Sequence, residues 1–167
     1  MALVELDFET PRALTDFVNG DYAVGELQVV AQSQLVDGNY FILSDGTTVV
    51  TFYYDVSGEF EPEGGYDAEN MRIDVSGVTD IDEVATATKD VINDSNLDIT
   101  ADSDSDGLVT LVDDDKISDG NVDIVLDETL DPEFTALGMT GGRTPIAQID
   151  VVDIFPKDCR WYLFYEG

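Results

Sequence analysis

The sequence predicts an α+β fold, a mostly antiparallel β-sheet with one main amphipathic helix at about 80–93, β-rich overall. Three observations predict it. Two apolar runs flank an Asp-Gly turn in DGNYFILSDGTTVVTFYYD, the pattern of a β-hairpin. Alternation of apolar and polar residues returns at Met71, Ile73 and Val75 and again at Leu97, Ile99 and Ala101, as half-buried strands require. Between those strands the rhythm switches to the i, i+3, i+4 spacing of one helix face.

Each element follows in order. Leu3, Val4, Leu6 and Phe8 suggest a short strand in an N-terminal arm, 1–20. Thr10-Pro11 interrupts it, and Arg12 to Asn19 has room for a helical turn. A compact α+β module, 21–142, begins with a strand at Leu27 to Gln34. Tyr40 to Leu43 and Val49 to Tyr54 form the hairpin across Ser44-Asp45-Gly46-Thr47. Gly58 to Asn70, with Pro62 and Gly64-Gly65, is a long acidic loop before the Met71 to Val75 strand. Thr79 or Asp80 can cap the helix, and Glu83 lies three residues after Asp80 in a capping-box-like arrangement. Ile81, Val84, Ala85, Thr88, Val91 and Ile92 make its buried face, and Asn93 to Asn96 stops it. Leu97 to Ala101 and Leu108 to Val112 pair as a second hairpin, and Val122 to Leu126 adds a strand. Asp131-Pro132 can open a short helical turn. The helix is expected to pack, through Val84, Val91 and Ile92, on a sheet containing Phe41, Val50, Phe52, Ile73, Ile99 and Leu111. The remainder, 143–167, carries a strand candidate at Ile146 to Ile154 and an aromatic run from Trp161 to Tyr165.

Charge narrows the partners. There are 37 acidic residues against 7 basic ones and no His, a net charge of −30. Such a surface repels nucleic-acid backbones and anionic membranes, so neither is an expected partner. The carboxylates are scattered beside intact hydrophobic periodicity, which reads as a folded domain and not as an acidic tail. The near absence of Lys resembles proteins of halophilic organisms; the alternative is an acidic virion or secreted protein from ordinary salt. No apolar run is long enough for a membrane span, and the acidic N-terminus lacks a signal-like stretch, so synthesis in a cytoplasm is expected. The single Cys159 leaves no internal disulfide and, without His, no zinc site. Beside Arg160 its thiol could be activated, but next to Trp161 it reads better as a small buried hydrophobe.

Candidate chemistry is sparse. Asp102, Asp104 and Asp106 fall at positions 1, 3 and 5 of a twelve-residue calcium loop, with Gly107 at 6 and Asp113 at 12. Converging oxygens suit a hard cation, and Gly permits the bend. Yet such loops join two helices, and this one lies between strand patterns, so a solvated hairpin turn is the competing reading. Asp113-Asp114-Asp115 could form a cation patch or simply a solvated loop. Nothing singles out a carboxylate pair for glycoside hydrolysis, and nucleophilic triads lack a His base. No catalytic residue and no cofactor is expected, and the chain does not read as an enzyme; a carboxylate-based hydrolase is the remaining enzymatic alternative.

The block from Asp37 to Gly142 resembles a module that recurs in virion structural proteins of tailed phages, with related segments in large bacterial surface proteins. The residues carrying the resemblance are NYFILSDGTTVVTFYYD, IDVSGVTDIDEVATATKDVI, LDITADSDSDGLVTLVDD and FTALGMTGG. It implies a virion structural protein, with the acidic composition pointing to a virus of a halophilic host. The implied role is a capsid decoration or cement protein, or a head–tail accessory protein, in contact with other virion subunits and oligomeric in place. A tail-tip, baseplate or fibre module touching the host surface is the alternative. The termini lie outside the resembling block, and their apolar residues, Leu3, Val4, Leu6 and Phe8 with Trp161, Tyr162, Phe164 and Tyr165, are the expected interface.

Overall fold

The protein is described by a computed structural model over residues 2–5, 21–115, 119–143 and 162–165. The described strands are β1 (Ala2–Glu5), β2 (Val24–Gln28), β3 (Tyr40–Ser44), β4 (Val49–Asp55) and β5 (Asn70–Asp74). After the helix α1 (Ile81–Asn93) come β6 (Ile99–Ser103), β7 (Leu108–Asp113), β8 (Val125–Leu126), β9 (Thr135–Thr140) and β10 (Tyr162–Tyr165). The fold is α+β and β-rich, as the sequence predicts.

The expected sheet is in fact two. β5-β4-β3-β8 form one four-stranded sheet and β6-β7-β2-β9 the other. Phe41, Val50, Phe52 and Ile73 belong to the first, Ile99 and Leu111 to the second, and their buried side chains join one hydrophobic cluster. The β3–β4 hairpin forms in register, with Phe41 opposite Phe52 and their rings stacked 5.0 Å apart. Gly46 in its turn has φ 92°, a left-handed backbone that favours glycine, and a Cβ there would collide with the Asp119 carbonyl. β5 runs parallel to β4, so the loop between them must carry the chain back across the sheet. It is held by acceptors at its base: Asp37 takes the N–H groups of Val56 and Ser57, and Asp55 takes those of Gly58 and Phe60.

The helix is the most fully anticipated element. The Asp80 side chain accepts from Asp82 N, and Glu83 accepts from Asp80 N, closing the capping box. Val84, Ala85, Thr88 and Ile92 are buried, whereas Val91 and Ile81 only border the core. Val91 is thus a marginal position and not a central one. The helix packs on β6 and reaches β5 and β7, so it spans edge strands of both sheets. Tyr54 is fully buried beneath it, and its hydroxyl lies 2.9 Å from Thr88 Oγ1. Thr88 gives its one hydrogen to the Val84 carbonyl, so Tyr54 is the donor in that pair. Burial pushes the Tyr54 phenol far up, which keeps it a donor.

Several strands differ from expectation. β2 is Val24–Gln28 and not the expected Leu27 to Gln34: it starts earlier because Gly25 and Glu26 break the apolar alternation while Gly25 still pairs with β7 and Glu26 with β7 and β9, and Gln32–Gln34 is a 3-10 turn. Of the expected Val122 to Leu126 strand only Val125–Leu126 pairs with β3. β9 was not anticipated, since Thr-Ala-Leu-Gly-Met-Thr is small and glycine-broken; only Met139 in it is fully buried. The expected helical turn at Arg12 to Asn19 and strand at Ile146 to Ile154 lie outside the described residues.

Candidate functional site

Three places gather residues that could do something beyond folding: the outer face of the second sheet, the corner where the sheets meet, and the terminal ribbon.

On the outer face, strand register arranges side chains in rows. Thr100, Val112, Val24 and Thr140 stand in one row, and Asp102, Thr110, Glu26 and Leu137 in the next. Tyr22 lies two residues before Val24, on the same face by alternation. Exposure is 42% for Tyr22, 50% for Val24, 37% for Val112 and 64% for Leu137. The first row carries no charge, in a chain whose net charge is −30. Two β-branched residues opposite each other, Val24 and Val112, are good sheet formers but gain nothing from facing water.

The free edge beside this face is guarded. Asn93 donates from Nδ2 to the Ala101 carbonyl and accepts from Ala101 N, so one side-chain amide imitates the next strand along β6. That arrangement blocks strand addition at this point of the β6 edge.

The four residues of the calcium pattern do not converge. Asp102 projects to the exposed face opposite Thr110, whereas Asp113 is buried opposite Ile99, on the other face of the hairpin. Asp104 instead organises the turn, accepting from Asp106 N and Leu108 N. Among the described residues no group of three or more His, Cys, Asp or Glu side chains is placed to hold a metal ion. The sequence pattern is therefore a hairpin turn, and strand parity is the reason: positions 1 and 12 of a calcium loop must face each other, and here they face apart. The turn does approach the start of the helix. Partial burial raises the Asp82 carboxyl, and the charges of Asp80, Asp106 and Asp104 push it further. That acidic grouping was not read from the sequence, because helix and turn are far apart along the chain.

At the corner, Asp45 and Asp113 are both buried, 3% and 1% exposed. Burial alone would raise Asp45, but the N–H groups of Thr48, Asp98 and Thr47 and the Thr47 hydroxyl more than offset it and hold its carboxyl below the usual range. Asp98 donates to Asp45 Oδ2 at 3.1 Å and accepts from Asp114 N at 2.8 Å, so the β3–β4 turn is tied to the end of the second sheet. Asp113 has less support. Its Oδ1 accepts from Asp115 N at 2.8 Å, while Oδ2 is buried with no hydrogen-bond partner among the described residues.

The termini meet each other. β1 and β10 pair antiparallel, Leu3 opposite Phe164 and Val4 opposite Leu163. At the base of the module Asp21 and Arg143 form a two-bond bridge reinforced by an ion pair of 3.1 Å. A two-stranded ribbon retains an outer edge on each strand. Leu6, Phe8 and Trp161 of the expected interface lie outside the described residues.

No protein-family model, curated protein or solved structure matches the chain. Among the described residues no helix is long and apolar enough to cross a membrane.

The acidity itself gives a testable response. Most of the carboxylates at the described positions are exposed, so their mutual repulsion acts through water and is screened by salt. Between low and molar NaCl the melting temperature is expected to rise on the order of 5–10 °C, as the screening length falls to about 3 Å. Calorimetry across that range checks it, and a flat profile would remove the reading of a surface matched to saline surroundings.

Proposed function

We propose that this chain is a virion structural protein of a tailed virus, a capsid decoration, cement or head–tail accessory protein that works by contact with neighbouring subunits. The resemblance of Asp37 to Gly142 to tailed-phage structural modules suggests the class. The observation that carries the reading in the structure is the uncharged row on the outer face of the second sheet. Val24, Val112 and the adjacent Leu137 present neighbouring apolar surface in a chain whose net charge is −30. Covering that row against another subunit releases its hydration and brings no carboxylate of the row into the contact. Hard particle surfaces need little more from such a protein than a rigid body, a docking face and terminal strands able to join a neighbour.

Incorporation into particles is the measurement. Leu137→Asp places a charge on an exposed position, so the isolated chain should fold and melt like the parent. Its occupancy on purified particles is expected to fall on the order of tenfold, the effect of about 1.4 kcal/mol in binding. Full occupancy by the variant would remove the outer face from the contact. Copy number on the same particles separates the roles, since a shell protein is abundant and a tail protein is scarce.

A further inference from the structure

Asp113 ends β7 with its side chain turned inward, following Val109 and Leu111 on the buried side of the strand. It meets the residue before β2 and the backbone at Gly120, and the β3–β4 turn of the other sheet acts on it through the charge of Asp45. Its own N–H donates to the Ala23 carbonyl, and its Oδ2 lies so close to Gly120 that any Cβ there would collide with it. The same Gly120 Cβ would touch the Ala23 methyl, so backbone and small residues close over the carboxyl. The charged groups that act on it are all acidic among the described residues: Asp115 and Asp114 from the following loop, and Asp45 from the β3–β4 turn. Asp98 is hydrogen-bonded to Asp45, and Asp119 precedes Gly120. Lys116 follows in sequence and lies outside the described residues.

Among the described residues, an ionised carboxyl here would be buried, would make one hydrogen bond, and would face three other negative charges. Something positive must relieve that cost. A metal ion needs several converging ligands, which the described residues do not assemble. A proton needs only the carboxyl itself.

We propose that Asp113 is a proton-binding position at the corner joining the two sheets, and that the fold is held more firmly there when the carboxyl carries its proton. Burial raises the Asp113 carboxyl above its ordinary 3.8, the neighbouring Asp charges add to the rise, and the Asp115 N–H only partly opposes it. The direction of the linkage follows. Unfolded, Asp113 releases its proton near 3.8; folded, it holds the proton to higher pH. The stabilisation by the proton is therefore complete below 3.8 and is lost as pH rises through the folded value. A body with this property tightens on acidification while its hydrogen-bonded carboxylates, such as Asp45, stay ionised.

Thermal melts of the full chain between pH 7 and pH 4 in molar NaCl test this, with salt present to suppress the general repulsion. Asp113→Asn keeps an acceptor for Asp115 N and removes the charge. It is expected to melt on the order of 5 °C above the parent at pH 7, with the difference shrinking toward zero as pH approaches 4. Glu69→Gln, an exposed single-charge control away from the corner, should track the parent at every pH. An Asp113→Asn variant that melts below the parent at neutral pH would overturn the proposal, because the carboxylate would then be supported by a cation. Stabilisation of the parent but not of Asp113→Asn by millimolar calcium at pH 7 would overturn it in the same way, identifying that cation as a metal. A second variant, Asp113→Ser, guards against a specific misfit of Asn: loss of the parent's pH response in both variants supports the proton site, and retention in both overturns it.

Discussion

Val84→Asp is expected to abolish the fold. Val84 is fully buried on the helix face that covers β6, and a carboxylate there has no partner and no route to water. The penalty for such a charge is about 4 kcal/mol or more, against a total stability of roughly 5–15 kcal/mol for a domain. Val91→Asp, on the same helix, should cost only about 1–2 kcal/mol, because Val91 borders the core and an Asp there can turn toward solvent. Circular dichroism and urea titration of the two variants compare them directly. Equal losses would mean that the helix sits on the sheets with a different face from the one described.

The contrast shows how far the helix was legible. Its limits and its capping box follow from local chemistry, since Asp80 and Glu83 act on backbone groups within one turn. Its buried face was read almost correctly from period alone. The ranking of Val91 against Thr88 was not, because which edge of an apolar stripe is covered depends on what packs there. Thr88 is buried because Tyr54 donates to it, and that partner comes from a strand 34 residues away. The β3–β4 hairpin was legible for the same local reason, with Asp45 and Gly46 fixing the turn. Parallel pairing of β5 was not, because alternation in Met71, Ile73 and Val75 says which side is buried and nothing about the direction of the neighbour. The division into two sheets was hidden likewise: Ile99 and Phe52 look alike as inward strand residues.

For the site, the run Asp113-Asp114-Asp115 presents three identical side chains, and only one is buried. A signal was available. Continuing the alternation of Val109 and Leu111 by two residues puts Asp113 on the inward side. The calcium pattern obscured it by drawing the same residue toward Asp102. The outer row of Thr100, Val112, Val24 and Thr140 needed register across three pairings, which no single strand encodes. The apolar character of the termini was plain, but that β1 and β10 pair with each other depends on two segments at opposite ends of the chain.

Asp55→Ala is expected to cost about 3–5 kcal/mol, the range for breaking a buried ion pair by removing one partner. Asp55 is fully buried, and its Oδ1 accepts from Gly58 N at 2.7 Å, Phe60 N at 3.2 Å and Ser57 Oγ at 3.4 Å. Its Oδ2 lies 2.6 Å from Arg72 Nη2, an ion pair at contact whose line is not that of a straight hydrogen bond. Arg72 in turn donates to the Gly58 carbonyl and reaches Asp74 at 3.1 Å. One carboxylate thus ties the end of β4, the parallel strand β5 and the loop between them. Without it the loop N–H groups lose their acceptor, and Arg72 keeps the Gly58 carbonyl and, as its ion-pair partner, the exposed Asp74. The damage should be local before it is global. Hydrogen exchange of the variant is expected to show lost protection over 56–69 and β5, with β6 and β7 close to the parent. Arg72→Met should also cost about 3–5 kcal/mol, because Asp55 Oδ1 keeps its N–H donors but the buried Oδ2 loses its one counter-charge among the described residues. If Asp55→Ala left protection over 56–69 intact, the crossover would have to be held by Asp37 and the packing of Phe60 on Tyr53, and the ion pair would be incidental to the parallel arrangement.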